Sequence, residues 1–224
     1  MEFDQIRIAQ LDRRFRNLFI NSLTGFKSAN LIGTTDGNGV DNLALFSSLV
    51  HLGADPSLIG MISRPHSVTR DTIENIETQG YYTINHVNKD IYRKAHQTSA
   101  RYDSEISEFE AVGLTPERRR GMPAPYVMES RIQIGMKFAQ KVHLDINNTD
   151  LLIGEIIYVN IKDDIIHEDG HVDIEAASSI AVSSLNSYHQ TTVLDSLAYA
   201  KPDRKPASIS CDKKFVPGEN DGSC

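Results

Sequence analysis

Arg64, His66, Ser67, Thr69, Arg70 and Thr72 crowd into nine residues of one polar stretch, SRPHSVTRDT. Two guanidiniums and three hydroxyls ahead of a helix suit a phosphate monoester. Guanidinium presents a planar fork of donors, hydroxyls rotate to fit, and a helix N-terminus adds free N–H groups. Asp71 works against this reading. It has the character of an N-cap, with Glu74 three residues on as its capping-box partner. Its carboxylate takes the N–H groups an anion would use and repels phosphate. The alternative is a solvated turn leading into a well-capped helix. His51, His66, His86 and His96 are scattered without the HxxxH or carboxylate-paired spacing of a metal site, so no metal is expected.

This loop sits inside a strand–loop–helix–strand unit. Residues 57–62 form an apolar strand, 72–78 a short helix with Ile73 and Ile76 facing inward, and 81–85 a second strand, with Gly80 between. Upstream, Ile8, Leu11, Phe15, Leu18 and Phe19 recur at helical spacing, which predicts one amphipathic helix over 5–23 ended by Gly25. Residues 29–34 and 42–50 read as the two strands of a hairpin around Asp36-Gly37-Asn38-Gly39. Asp55-Pro56 breaks the chain before the next strand. Residues 88–100 are compatible with a helix that turns Ile91 and Ala95 inward. The proline-containing stretch 101–125 reads as loop, with Arg118-Arg119-Arg120 as a solvated run.

Residues 126–144 read as a strand pair or one bent strand. The β-branched run 151–161 is a strand, and Glu168-Asp169-Gly170 marks a tight hairpin. The serine-rich stretch 175–200 takes no clear assignment. From Lys201 polar residues dominate, so the reading is a domain over 1–200 and a mobile tail over 201–224. Many short strands and few helices predict a mainly β fold, an antiparallel barrel, with the helix at 72–78 closing its mouth.

The chain of 224 residues has the length of one domain and an ordinary globular composition, 40% hydrophobic and 24% charged. Its net charge of −7 argues against nucleic acid as the main partner. No apolar run approaches the ~20 residues of a membrane helix. The N-terminus lacks a signal-like apolar core, and the cysteines Cys211 and Cys224 both fall in the tail. The expectation is a cytoplasmic protein with no membrane partner.

Four segments together resemble the flavin reductase-like family of FMN-binding split barrels, which includes flavoredoxin. They are Thr34-Thr35-Asp36 with Gly39 and Asn42-Leu43-Ala44-Leu45-Phe46-Ser47-Ser48; Asp55-Pro56-Ser57-Leu58-Ile59-Gly60; Arg64 through Thr69-Arg70-Asp71-Thr72 to Gly80 and Asn85; and Ala95-His96-Gln97-Thr98-Ser99-Ala100 followed by Ser107-Glu108-Phe109 and Gly113-Leu114. The third and fourth are the most specific. Two departures stand out. Lys27-Ser28 replaces an Arg-Pro common in the family, and Leu45 replaces a common proline where backbone nears the flavin ring.

The resemblance implies a six-stranded antiparallel split β-barrel with peripheral helices, a homodimer, and FMN near the dimer interface. Carried over by residue, Arg64, Ser67 and Thr69 hold the phosphate. Ser47, Ser48 and Leu49 face the isoalloxazine edge, Asn85 ends the strand beside the loop, and Ala95, Gln97 and Thr98 line ring or ribityl chain. It further implies an oxidoreductase passing electrons from NAD(P)H to flavin or a downstream acceptor, with no catalytic side chain needed, because the redox chemistry is the cofactor's. An FMN electron carrier without its own nicotinamide site, and a cofactor-free binding module, are the rivals.

Overall fold

The computed structural model describes residues 1–65 and 71–209, apart from the side chain of Asp163. Two helices open the chain, α1 (Gln5–Gln10) and α2 (Arg13–Leu23). They replace the single expected helix. Asp12 breaks it by turning its carboxylate onto the backbone N–H groups of Arg14 and Phe15, at 2.9 and 3.1 Å, which makes it the cap of a new helix. Neither helix buries any residue within the chain.

Then follow β1 (Lys27–Ser28), β2 (Asn30–Thr35), β3 (Asp41–Phe46), β4 (Leu49–Ala54), β5 (Ser57–Ser63), α3 (Asp71–Gln79) and β6 (Tyr81–His86). After these come α4 (Tyr92–Gln97), α5 (Glu108–Val112), β7 (Pro116–Arg119), β8 (Met122–Val127), β9 (Ile132–Leu144) and β10 (Thr149–Ile161). The last strands are β11 (Ala181–Ser183) and β12 (Ser187–His189).

Every named strand pair is antiparallel. The main sheet runs β3-β2-β6-β9-β10-β5-β4, so its two edge strands are consecutive in the chain. The result is mainly β, as expected, but with seven strands in this sheet rather than six. The difference lies at Ser47-Ser48. Residues 42–50 read as one strand because their apolar pattern is continuous. The chain instead leaves β2 at the Asn30–Phe46 pair and joins β5 at the Leu49–Met61 pair. Periodicity reports which side faces the core, and it does not register a change of pairing partner.

The alternation of β2 separates two cores. Leu31 joins Leu43, Val87, Ala95 and Phe109 beneath α4 and α5, while Ile32 joins Met61, Ile73, Ile76, Tyr82 and Leu152 beneath α3. Full burial of β2 on both faces explains its uninterrupted NLIGTT character.

Two expectations need correction. Residues 101–125 hold α5 and the β7–β8 ribbon rather than loop alone. The prolines fit because a two-stranded ribbon leaves half its backbone outside any ladder. Within it, Arg119 is not a solvated residue. Its guanidinium lies 5.7 Å from the Tyr126 ring and 5.9 Å from the Tyr158 ring, and bonds Glu117 and Gln133. Arg118 pairs with Asp41. In the serine-rich stretch, β11 and β12 form a hairpin that adds to β1 as a second small sheet. Residues 201–209 turn back on 196–198, with Ala198 N–H on Ala207 O at 2.9 Å and Ile209 N–H on Ser196 O at 2.8 Å.

Candidate functional site

The β3–β4 switch and the end of β5 meet. The Ile62 N–H donates to the Ser48 carbonyl at 3.0 Å, and Arg64 follows two residues later. Ser47 and Leu49 are half-buried, while Ser48 and Arg64 are exposed. Sheet pairing thus gathers Ser47, Ser48, Leu49 and Arg64 on one rim. The sequence alone left them about fifteen residues apart. Ser67 and Thr69 lie outside the described residues. Asp71 begins α3, and the position before it is outside the description too.

Lys27 of β1 points its ammonium at the carbonyls of Ser184, 2.9 Å away, and Asn21, 3.4 Å away. Burial holds the Lys27 ammonium below its ordinary pKa, and the positive charge of Arg64 pushes the same way. Among the described residues neither cation has a carboxylate partner. Beyond Lys27, Val182 of β11 pairs with Tyr188 of β12. The Tyr188 hydroxyl meets His96 Nδ1 of α4 at 2.8 Å, and its ring also packs against Tyr92. Burial raises the Tyr188 phenol above its usual pKa.

The remaining candidates divide. Gln97 is exposed and its amide reaches the Tyr102 hydroxyl at 3.3 Å. Ala95 is instead wholly inside the core with Leu31 and Phe109. Thr98 is buried and spends its hydroxyl on the Ala95 carbonyl at the end of α4, 2.8 Å away. Asn85 is also fully buried. Its amide nitrogen donates to Leu31 O and Thr83 Oγ1, and its oxygen accepts the Val127 N–H, at 3.1, 2.9 and 3.0 Å. All three side chains pack inside the chain, and the polar groups of Asn85 and Thr98 bond protein atoms. A sequence pattern marks such positions as special without separating scaffold from contact. Lys27 shows in the sequence only as a departure from the family's Arg-Pro, and Ser184 only as one of a run of serines, because the β1–β11 pairing that joins their elements spans about 155 positions.

The donor set fits a flavin that carries phosphate. Arg64, with no carboxylate partner among the described residues, suits an anionic phosphate, and a strand switch with exposed backbone suits the polar edge of a ring. Chemically, the rim can bind and orient; among its described residues it holds no paired acid and base.

The architecture defines a split barrel. The chain belongs to the flavin reductase-like domain family, whose model matches residues 23–204. It is therefore a flavin-related oxidoreductase. A protein of Shewanella frigidimarina NCIMB 400, described as a candidate flavin reductase with a split barrel domain, is 51% identical, with TM-score 0.86 over 89% of this chain and 100% of that one. Nitrilotriacetate monooxygenase component B of Bacillus cereus matches in fold at 19% identity, TM-score 0.76, over 86% of this chain and 96% of its own. Flavoredoxin of Desulfovibrio vulgaris (Miyazaki F) shares the fold at 22% identity, TM-score 0.68, over 79% and 92% of the two chains.

Proposed function

We propose that this protein binds FMN and passes electrons from NAD(P)H to it, and onward to a flavin or small acceptor. The observation that carries the reading is Arg64, which has no carboxylate partner among the described residues, following the β5 strand that bonds the Ser47-Ser48 switch, in a chain whose net charge is −7. A positive spot on an acidic protein is suited to one small anion rather than to a polyanion. When bound, the flavin supplies the redox chemistry; the chain supplies binding, orientation and electrostatics. Arg64, with Ser67 and Thr69 of the same loop, holds the phosphate. Ser47, Ser48 and Leu49 border the ring, and Gln97 lies on the far side of the rim.

We further propose that the working form is a homodimer. β5 stops pairing with β10 at Glu155, so Ile156–Ile161 has a partner on one side only. Ile157, Tyr158 and Val159 there stay 44%, 43% and 50% exposed. A free apolar strand edge is a surface that proteins cover.

The test is steady-state oxidation of NADH and of NADPH by purified protein supplied with FMN. Turnover with either nucleotide supports the reductase reading. A protein that binds FMN yet oxidises neither is an electron carrier. One that binds no flavin at all refutes the reading.

A further inference from the structure

α2 is an amphipathic helix with nothing beneath it. Phe15, Leu18, Phe19 and Leu23 fall on one stripe, and Arg13, Arg14 and Arg16 carry its only charges. Phe19 packs on Phe3 and Phe15, with ring centroids 4.9 and 6.0 Å away, so α1 and α2 form one small unit. Yet neither helix buries a residue within the chain, and Phe15, Leu18 and Leu23 stay exposed. Hydrogen bonds from Ser184 Oγ to Leu18 O and from the Lys27 ammonium to Asn21 O, both 3.4 Å, tie the unit to the body. A second open apolar surface is the edge of β10 over Ile156–Ile161. Helix and edge match in length, about 16 Å for 11 helical residues and about 20 Å for six extended ones. Their charges match too. The three arginines have no carboxylate partner among the described residues, and Glu155, exposed where the edge begins, has no cation there. The helix is positive while the whole chain is −7, so another copy of the chain attracts it.

We propose that α2 lies on the β10 edge of a second copy, in a reciprocal exchange where each protomer's arm covers the other's edge. This rests on the homodimer reading above and goes beyond it by naming the element that covers the edge. Within one chain both surfaces stay open. A two-fold axis joins them twice over and closes the assembly at two chains.

The experiment is a complementation by sedimentation velocity with full-length chains. Leu18→Glu spoils the arm and Val159→Glu spoils the edge. Each variant alone carries two weakened contacts, about tenfold apiece, so its dimer dissociates about a hundredfold more readily. A mixture of the two forms a dimer that keeps one intact arm on one intact edge, only about tenfold weaker than the unmutated one. Recovery of dimer on mixing is the expected result. If both variants are monomers and the mixture stays monomeric, α2 does not meet the edge and the proposal falls. If Leu18→Glu dimerises like the unmutated protein while Val159→Glu does not, the proposal falls and the homodimer reading stands. If the unmutated protein is a monomer, both fall. If it sediments with vesicles of phosphatidylcholine and phosphatidylglycerol and Leu18→Glu does not, the stripe faces a membrane and the proposal falls. Both substitutions sit on exposed side chains, and circular dichroism checks each fold. Phe15→Glu and Ile157→Glu stand in for either chain that does not fold.

Discussion

Asn85 shows what a single polar side chain does in this core. Its amide ties β6 to β2 and to the end of β8 at once. Asn85→Ala should cost about 1–3 kcal/mol, because it leaves the buried Val127 N–H without its Asn85 partner. A urea unfolding curve measures this, and FMN affinity in the surviving folded fraction should barely move. Gly154 makes a different point. A Cβ there would collide with the Tyr82 hydroxyl, which is buried and has no partner among the described residues. Gly154→Ala should therefore destabilise by about 1–3 kcal/mol, and Tyr82→Phe in the same chain should restore most of that loss.

His86 carries a pH dependence. Burial lowers its pKa to about 4, against an ordinary value near 6.5. Between these values the unfolded chain binds the proton and the folded one does not. Stability therefore rises with pH across that window and is lost as pH falls toward about 4. The loss should approach about 2–3 kcal/mol, and His86→Gln should remove that part of the acid sensitivity in urea midpoints compared at pH 7 and pH 4.5.

At the scale of elements, the strand–loop–helix–strand unit was legible because Gly80, the apolar run before Arg64 and the Ile73–Ile76 spacing each punctuate it locally. The β3–β4 switch was not, since its cause is the end of β2 rather than anything within NLALFSSLV. The β11–β12 hairpin was not, since strands of three residues are too short to show a period. The phosphate-binding reading of the Arg64 loop comes from residue types. Its geometry between 66 and 70 lies outside the described residues. Ala95, Thr98 and Asn85 were picked out as ligand contacts and the structure packs all three in the interior, because tight packing and ligand contact leave the same mark on a motif.

α2 raises a question of its own. A helix of 11 residues is marginal in water, yet Phe15, Leu18 and Leu23 remain 53%, 38% and 64% exposed. Deleting residues 1–24 should leave the barrel's cooperative unfolding in place, because no core residue is lost. FMN affinity should stay nearly unchanged, because Ser47, Ser48, Leu49 and Arg64 all lie outside the deleted segment. Circular dichroism melts and flavin titration of the shortened chain check both halves.

For the whole molecule, the two cores meet across one sheet, and the site lies where that sheet's edges rejoin. The free edge of β10 is the face proposed for the dimer. Val159→Glu should give a monomer by sedimentation velocity at micromolar concentration while keeping the native far-ultraviolet spectrum. A dimer that survives the change would move the interface elsewhere.

The account stands or falls on whether this chain holds FMN by its phosphate through Arg64, and a fluorescence-quenching titration tests that most directly. The unmutated protein should quench FMN to saturation and prefer it to riboflavin on the order of a hundredfold, from about 2–3 kcal/mol of charged hydrogen bonding. Arg64→Ala should erase most of that preference and leave riboflavin affinity nearly unchanged. Absence of saturable quenching by either flavin, or an undiminished preference in Arg64→Ala, would contradict it.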